Sequence, residues 1–203
     1  MMKKILIHFV HPAKHRSKLN MALRRSVEKL EAVTINDLYA KYPDFLIDVD
    51  AEQKLCEEHD IIIFQFPFYW YSTPSILKEW QDLVLEYGWA YGSKGKALEG
   101  KKFMLALTAG IDDDGYSREG CNYYTIEELT SPLKAMSRLC SMTWISPFAV
   151  LGIHRGLSQD RIDVYADDYK KVIEALRDEL VDYNKAAEYL YINTDLDSVI
   201  RGV

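Results

Sequence analysis

Five short runs of apolar and β-branched residues alternate along the chain with segments whose apolar residues recur every three or four positions. The most continuous run, residues 60–66 (DIIIFQF), is ended by Pro67 and is typical of a central strand buried on both faces. Strict alternation of strand and helix indicates a parallel sheet with helices on both faces and right-handed crossovers. We therefore predict an α/β fold in the order βαβαβαβαβα, formed by residues 1–203 as a single domain.

The boundaries of these elements follow from their apolar spacing and from their capping residues. The predicted strands are residues 3–10, 33–37, 60–66, 103–108 and 144–150. Ser17 stands where the N-cap of the first helix belongs, directly before apolar residues at helical spacing. The later helices are predicted near residues 51–59, 74–84, 126–140 and 162–180.

Composition narrows the classes of partner. The net charge of -6 argues against nucleic acid, because binding to its phosphates needs clustered Lys and Arg. No apolar run reaches the roughly 18 to 20 residues that span a bilayer, and the first residues read as a strand instead of a signal peptide. Cys56, Cys121 and Cys140 lack C-x-x-C spacing and suggest neither a disulfide framework nor a zinc site. We expect a protein of the reducing cytoplasm.

Ligands of open parallel sheets bind beyond the carboxyl ends of the strands, which makes three loops candidates. The first, HPAKHRSKLN, leads into a helix N-terminus, whose free N–H groups and dipole attract an anion such as a phosphate. His11, Ser17 and Asn20 add hydrogen-bonding side chains to this loop. It contains neither the P-loop nor the G-x-G-x-x-G pattern. The alternative is an ordinary capped helix with a basic surface.

The second candidate loop, PFYWYSTP, crowds four aromatic residues between two prolines: Phe68, Tyr69, Trp70 and Tyr71. Aromatic side chains hold a flat ring system through edge and face contacts, while loop backbone groups reach its polar rim. The alternative is a loop folded onto its own hydrophobic cluster. The pattern therefore predicts a site for a planar ligand.

The third candidate loop begins Thr108-Ala109-Gly110 and runs to Tyr124. Glycine allows the backbone to approach a ligand closely, so its N–H groups can meet negative charge there. Tyr116 and Asn122 are the side chains that we expect to hydrogen-bond a substrate or a ligand carbonyl. The alternative is a surface loop with incidental polar residues.

Other chemistries fit these residues poorly. The stretch GYSREG has Glu119 where the nucleophile elbow of a serine hydrolase needs glycine. His8 falls inside a strand, where a histidine is usually a hydrogen-bonded core residue, so we expect no metal site formed by His8, His11 and His15. The aspartates at 112–114 read as a solvated turn, because neighbouring side chains point apart.

Four stretches together resemble a known family over nearly the whole chain. They are HP-x4-S-x-x-N from His11, LYxxYPDFxID from Leu38, QFPFYWYSTPSILKEWQDLVLEYGWAYG from Gln65 and GKALEGKKFMLALTAG from Gly95. They resemble the NAD(P)H dehydrogenase (quinone) family of flavodoxin-like flavoproteins. PDFLIDVDAEQKL and PSILKEWQD look most like its glutathione-regulated potassium-efflux ancillary subunits and general stress-type oxidoreductases.

The resemblance implies a flavodoxin-like three-layer sandwich with a five-stranded parallel sheet in the order 2-1-3-4-5. It also implies a homodimer that binds FMN, with FAD as the alternative, and that passes electrons from NADH or NADPH to a quinone or another electrophile. Carried over by position, the residues that hold the phosphate end are His11, Ser17, Leu19 and Asn20. Those that border the flavin ring are Phe68, Tyr69, Trp70 and Tyr71, and those at its pyrimidine edge are Thr108, Ala109, Gly110 and Ile111. Tyr116 is then the residue that polarises the acceptor, with Asn122 as the second candidate.

The chain departs from this resemblance at one loop, where relatives carry T-T-G-G and this sequence reads Thr108-Ala109-Gly110-Ile111. Ile111 does not readily adopt the positive φ open to glycine, which makes the contacts of Ala109 and Ile111 less secure. Two alternatives to the enzyme stay open. One is a regulatory subunit that docks on a membrane potassium-efflux antiporter, at the inner face of the cell membrane, with flavin binding mainly structural. The other is a one-electron carrier.

Overall fold

Six strands form one sheet in the computed structural model, which describes residues 2–202. The strands are β1 (Ile5–Phe9), β2 (Val33–Asp37), β3 (Ile61–Pro67), β4 (Lys102–Thr108), β5 (Thr143–Trp144) and β6 (Phe148–Val150). Their order is β2-β1-β3-β4-β5, with β6 also paired to β4, and every pairing is parallel. The predicted α/β class and the strand order 2-1-3-4-5 are therefore confirmed.

The expectation of five strands needs one correction, because the fifth position holds two short strands. Thr143 and Trp144 pair with the start of β4, and Phe148–Val150 pairs with its end. Pro147 lies between them and has no N–H to donate, so the ladder is interrupted at this point. The apolar run WISPFAV predicts one continuous strand, whereas the proline within it divides the run into two strands.

Helices cover both faces of this sheet. They are α1 (Lys18–Val27), α2 (Leu38–Lys41), α3 (Val49–Glu57), α4 (Ser75–Val84), α5 (Ile126–Leu139), α6 (Gln159–Arg177), α7 (Tyr183–Ala186) and α8 (Leu196–Val199). The core residues of α1 and α6 share one hydrophobic cluster, and those of α3, α4 and α5 share the other. The arrangement is a three-layer sandwich.

The central strands divide their side chains between these two clusters. On β3, Ile61 and Ile63 face α1 and α6, whereas Ile62, Phe64 and Phe66 belong to the cluster of α3, α4 and α5. Alternation of side chains along a strand places neighbours on opposite faces, so a strand covered on both sides is apolar at nearly every position. This is the physical reason why the run that ends at Pro67 is the most continuous in the sequence.

The predicted N-cap of the first helix agrees with the structure, whereas the predicted C-terminal end of the last long helix differs from it. The Ser17 hydroxyl accepts a hydrogen bond from the Asn20 N–H at 3.3 Å, which confirms the predicted N-cap of α1. The last long helix ends at Arg177 instead of Leu180, because Glu179 has a positive φ of 59° and turns the chain.

A buried polar cluster under α3 was not predicted from the sequence. Glu52 is fully buried and accepts hydrogen bonds from four donors: Asn36 Nδ2 at 2.7 Å, Lys41 Nζ at 2.7 Å, Tyr42 OH at 2.9 Å and Trp80 Nε1 at 2.8 Å. His8, the strand histidine, contacts the same cluster through Asn36 at 3.1 Å. Burial lowers the pKa of His8 to about 4, so its ring is neutral at pH 7.

The last 20 residues of the described chain fold back onto the edge of the sheet. Asn193 pairs with the backbone of Ala149 like an extra strand residue, because its amide both donates to and accepts from that residue at 2.9 Å. The Tyr191 hydroxyl donates to Asp113 at 3.1 Å and so connects this segment to the third loop. Within residues 2–202, none of the helices has both the length and the apolar character that crossing a bilayer requires.

Candidate functional site

The three predicted loops meet around one cavity of ≈ 780 Å³, the first cavity, beyond the carboxyl ends of β1, β3 and β4. Its walls are formed by His11, Ala13, Arg16, Ser17, Lys18, Leu19, Asn20, Pro67, Phe68, Tyr69, Trp70, Tyr71, Thr108, Gly110, Ile111, Tyr116, Asn122, Ile153, His154, Leu157 and Ile162. Small-molecule sites in proteins measure roughly 300–1,000 Å³, so the first cavity has the size of such a site.

Of the residues predicted for this site, all but Ala109 line the first cavity. Ala109 is buried in the core behind the wall, its N–H donates to Val150, and its carbonyl oxygen accepts from Ile153. Both of its backbone groups are therefore used within the protein. The structure brings together segments separated by about 100 residues of sequence, because all of them follow the carboxyl ends of neighbouring parallel strands.

One end of the first cavity is cationic. Arg16 and Lys18 line it on either side of Ser17, at the N-terminus of α1, and no Asp or Glu of residues 2–202 lines this cavity. The other basic side chains of this region, Lys14 and Arg24, are both held by Asp37 at 2.5 and 2.9 Å. In a chain of net charge -6, a wall with two cations and without carboxylates favours an anionic group.

Asn20 joins the first loop to the third. Its side-chain Nδ2 donates to the Thr108 hydroxyl at 2.9 Å and lies 3.3 Å from the Ser17 hydroxyl. Its backbone carbonyl oxygen accepts a hydrogen bond from the Gln65 side chain at 3.1 Å. The side chain is only 2% exposed, yet its Oδ1 has no hydrogen-bond partner within residues 2–202. A buried oxygen without a partner costs about 1–3 kcal/mol, so its presence in the cavity wall is consistent with a donor supplied by a ligand.

His11 presents a neutral ring to the same end of the cavity. Burial lowers its pKa below the ordinary value for histidine, and the nearby His15 acts in the same direction. Nδ1 accepts a hydrogen bond from the Ala13 N–H at 3.1 Å, which leaves Nε2 as the protonated nitrogen. His11 therefore offers a neutral N–H donor to the first cavity.

The aromatic loop forms a tight two-residue turn. Tyr69 and Ser72 exchange backbone hydrogen bonds of 3.0 Å, and both central residues have positive φ, 48° for Trp70 and 63° for Tyr71. Such a turn normally carries Asn-Gly, because bulky side chains are strained at positive φ by about 1–3 kcal/mol each. Two large aromatics are nevertheless held there, and Trp70 is 92% exposed, so the core does not need its ring.

Two N–H groups near the start of the third loop are free within residues 2–202. The carbonyl oxygens of residues 109–111 all accept from the backbone of residues 152–154, whereas the N–H groups of Gly110 and Ile111 have no partner within residues 2–202. Neither residue has a positive φ, so the isoleucine that departs from the family pattern is accommodated without strain. Glycine is required at position 110 for a different reason, because a Cβ atom there would clash with the His154 ring.

Tyr116 and Asn122 close the cavity on the side of this loop. Burial raises the pKa of Tyr116 above its ordinary value, with smaller contributions in the same direction from Tyr71 and Cys121, so its hydroxyl remains a donor. Asn122 Oδ1 accepts from the Tyr71 hydroxyl at 3.1 Å, and its Nδ2 is buried without a partner within the described residues. Two donors are thus present beside the aromatic turn.

A fourth loop was missed by the sequence analysis. Ile153, His154 and Leu157 follow β6 and line the first cavity opposite the aromatic turn, and Ile162 of α6 lies beside them. The signal was present, because the rule that selected the other three loops applies equally to the segment after the last strand. Arg16 and Lys18, which flank the predicted Ser17, were not singled out either.

The aspartates of the third loop take no part in this cavity. Asp112 pairs with Arg155, and Asp113 accepts from Tyr191, so both are directed away from the first cavity. Within residues 2–202, no group of three His, Cys, Asp or Glu side chains converges as a metal site requires.

Two characterised proteins illustrate the sequence relationships of the chain. General stress protein 14 of Bacillus subtilis (strain 168) is 48% identical over 157 residues, which cover 77% of this chain and 90% of that protein. The glutathione-regulated potassium-efflux system ancillary protein KefG of Serratia proteamaculans (strain 568) is 43% identical over 152 residues, which cover 75% of this chain and 83% of KefG.

Solved structures agree with these relationships. General stress protein 14 of Treponema denticola, in complex with FMN, superposes with a TM-score of 0.80 at 37% identity and covers 85% of this chain and 99% of its own. An NADPH-quinone reductase from P. pentosaceus gives a TM-score of 0.75 at 29% identity, covering 84% of this chain and 97% of its own. Residues 3–173 match the Flavodoxin_2 family, which is described by its flavodoxin-like fold. The chain therefore belongs to the Flavodoxin_2 family.

Proposed function

We propose that this protein is an FMN-dependent NAD(P)H:quinone oxidoreductase, which transfers two electrons as hydride from NADH or NADPH to a quinone or a similar electrophile. The observation that carries the proposal is the division of the first cavity into a cationic end at the N-terminus of α1 and an aromatic end at the turn of Trp70 and Tyr71. A phosphate-tailed planar ring has this same division. The FMN complex of the Treponema protein and the name of the P. pentosaceus reductase support the proposal.

The residues at the cationic end fit the phosphate and the polar chain of FMN. Arg16 and Lys18 supply positive charge, and the first N–H groups of α1 supply donors that no helix can satisfy internally. Ser17 and the neutral Nε2–H of His11 add hydrogen bonds. The unpartnered Oδ1 of Asn20 would accept from a hydroxyl of the ligand. Leu19 contributes an apolar wall beside them.

The residues at the other end fit the flavin ring. Phe68, Tyr69, Trp70 and Tyr71 would border its faces and edge, and the free N–H groups of Gly110 and Ile111 would meet its pyrimidine edge. Bound FMN supplies the chemistry of accepting and donating hydride. The chain itself supplies position, an aromatic wall and hydrogen bonds to the electron-rich side of the ring.

Trp70 provides a test of why a strained turn is kept. We expect Trp70→Asn to raise the free energy of unfolding by about 1 kcal/mol, because Asn tolerates positive φ and the exposed ring contributes almost no burial. The same change should weaken FMN binding by about 10-fold, the worth of one stacked aromatic contact. Urea denaturation and quenching of flavin fluorescence measure the two effects.

Tyr123→Asn is the matched control for this variant. Tyr123 is also an exposed aromatic residue at positive φ (59°), but it does not line the first cavity. It should gain stability without losing FMN affinity. Equal losses of affinity in the two variants would remove the assigned role of Trp70.

Tyr116 and Asn122 are proposed to act on the acceptor. The Tyr116 hydroxyl stays protonated at neutral pH because burial raises its pKa, so it can donate to a quinone oxygen as negative charge develops there. Asn122 offers its free Nδ2 as a second donor, and its Oδ1 is fixed by Tyr71. We expect Tyr116→Phe to lower kcat with menadione by about 10- to 100-fold, the usual worth of one such donor, with FMN affinity unchanged.

The proposed function is tested by reconstitution with FMN, followed by NADH and NADPH oxidation with menadione as the acceptor. We expect a yellow protein that binds one FMN per chain and turns over without a partner reductase. A chain that stays colourless and has no affinity for FMN would refute the proposal, and a flavin-loaded protein that reduces no quinone would limit it to binding. Comparing rates with the two nicotinamides identifies the preferred donor.

A homodimer belongs to this proposal. The rim of the first cavity exposes the ring of Tyr71, and Tyr124 is exposed on the neighbouring third loop. Exposed aromatic clusters of this kind are characteristic of interfaces between subunits. Light scattering at micromolar concentration distinguishes a monomer from a dimer. We also propose a cytoplasmic location for the protein.

A second candidate function is regulation of a membrane potassium-efflux antiporter, with flavin binding mainly structural. The relationship to KefG at 43% identity favours it. Association at the inner face of the membrane would then be peripheral. Copurification of an antiporter, together with full antiporter activation by Tyr116→Phe despite its lost turnover, would support this function over quinone reduction.

A further inference from the structure

A second cavity of ≈ 520 Å³ lies on the far side of Tyr116, between α5, the connection from β5 to β6, and the C-terminal segment. Its walls are formed by residues within the ranges 113–134, 144–147 and 183–191. The wall from 183 to 191 lies beyond residues 3–173, the part that matches the Flavodoxin_2 family. The second cavity is therefore built in part from a segment outside the family match.

The wall is dominated by rings and aliphatic side chains. Five of its residues are aromatic: Tyr116, Trp144, Tyr183, Tyr189 and Tyr191. Most hydroxyls of the wall already donate hydrogen bonds within the protein. Tyr191 donates to Asp113, Tyr189 donates to Asp195, and Ser146 donates to the carbonyl oxygen of Ala186. A ligand of this cavity would therefore be held mainly by apolar and ring contacts.

Two polar groups of the wall offer donors to a ligand. The Tyr183 hydroxyl is buried and has no hydrogen-bond partner within residues 2–202, although buried polar groups almost always have one. Lys134 donates one hydrogen bond within residues 2–202, to Glu127 at 3.3 Å, and keeps further N–H donors. A complementary ligand carries an acceptor at one end of an apolar body.

The charges around the cavity select against ionic ligands. Asp113, Glu127 and Glu188 outnumber Lys134 among the lining residues, which disfavours an anion. A cation gains little, because each carboxylate of the wall already has a partner. Asp113 accepts from Tyr191, Glu127 is paired with Lys134, and Glu188 is paired with Lys185.

We propose that the second cavity binds a neutral, planar aromatic carbonyl compound, with its ring among the tyrosines and Trp144 and its carbonyl oxygen accepting from the Tyr183 hydroxyl. This site is separate from the first cavity and does not depend on flavin. Tyr116 is a wall of both cavities, so a ligand of the second contacts the residue that also closes the first.

The test is calorimetric titration of the native chain, without added flavin, with three probes of one shape: 2-acetylnaphthalene, 2-naphthoate and 2-naphthylmethylammonium. The neutral ketone should bind at least about 10-fold more tightly than either ion, a preference that corresponds to one net hydrogen bond or charge contact. Absence of ketone binding, or tighter binding of an ion, would overturn the proposal.

Two pairs of variants locate the binding site. Ala187→Trp fills the second cavity from an exposed wall position and should abolish ketone binding, whereas Ile111→Trp fills the first and should leave it intact. The reverse result would place the ketone in the first cavity and overturn the proposal.

The second pair concerns the hydroxyl. Tyr183→Phe should weaken ketone binding by about 10-fold without destabilising the protein, because it removes an unpartnered buried hydroxyl. Tyr189→Phe, whose hydroxyl is held by Asp195, is the matched control and should bind the ketone like the native chain. Thermal unfolding of each variant confirms its fold, and unchanged binding by Tyr183→Phe would contradict the assigned hydrogen bond.

Discussion

An Asn20→Asp variant is expected to bind FMN at least about 100-fold more weakly than the native chain. Asn20 is 2% exposed and lies at the cationic end of the first cavity, close to where we propose the phosphate. The substitution keeps the shape of the side chain and replaces a neutral amide by a buried carboxylate. Repulsion between this charge and a phosphate in a poorly solvated site amounts to several kcal/mol, and 100-fold corresponds to about 2.7 kcal/mol.

The same variant should also be less stable without ligand. Its new carboxylate replaces the Nδ2 that donates to Thr108 at 2.9 Å, and no Lys or Arg nitrogen of residues 2–202 is hydrogen-bonded to the Asn20 side chain. Burying an unpaired charge costs several kcal/mol, part of which is relieved by protonation. Circular dichroism of the variant without ligand separates unfolding from weakened binding.

Quenching of flavin fluorescence at constant ionic strength measures the affinity of Asn20→Asp. Asn184→Asp is the control, because it introduces the same charge at an exposed position outside both cavities. We expect the control to bind FMN like the native chain. A folded Asn20→Asp protein with native affinity would mean that the phosphate does not lie at the N-terminus of α1.

Replacing Glu52 by alanine is expected to lower the free energy of unfolding by about 3–5 kcal/mol. The carboxylate is fully buried and is the shared acceptor for Asn36, Lys41, Tyr42 and Trp80. Its removal leaves buried donors without an acceptor and opens a cavity between α3, β2 and α4. Small proteins are stable by only about 5–15 kcal/mol, so the loss is a large part of the total.

Two further variants separate the charge of Glu52 from its volume. Glu52→Gln keeps the volume but turns an amide N–H₂ towards donors, so we expect a loss of about 2–3 kcal/mol. Glu58→Ala removes an exposed carboxylate at the end of the same helix and should change stability by less than about 0.5 kcal/mol. Urea denaturation curves give all three values, and a loss below about 1 kcal/mol for Glu52→Ala would show that the cluster is not needed for stability.

The two predictions concern polar residues that sequence patterns treat very differently. Asn20 was expected in the candidate site, because it follows a helix N-cap at the end of a strand loop. Glu52 carried no signal, since a glutamate in the first turn of a short helix is normally exposed. Its burial depends on Trp80 and Tyr42, which come from other segments, and no local pattern reveals that such donors will surround it.

Sequence by itself determined the features that depend on near neighbours. Residues 61–66 are apolar except for Gln65 because both faces of β3 are covered, and Ser17 caps α1 through a residue three positions away. Alternation of such elements in turn determined the parallel sheet and the edge at which the first cavity lies, whereas the strand order followed from the family resemblance.

Only the tertiary structure decided the contacts between distant segments. The bond from Asn20 to Thr108 spans 88 positions, and that from Tyr191 to Asp113 spans 78. The burial of Glu52 and the second cavity belong to the same group. Their physical reason is common: helical and strand periods specify which face of an element is buried, but the side chains that meet across that face depend on register and packing between elements.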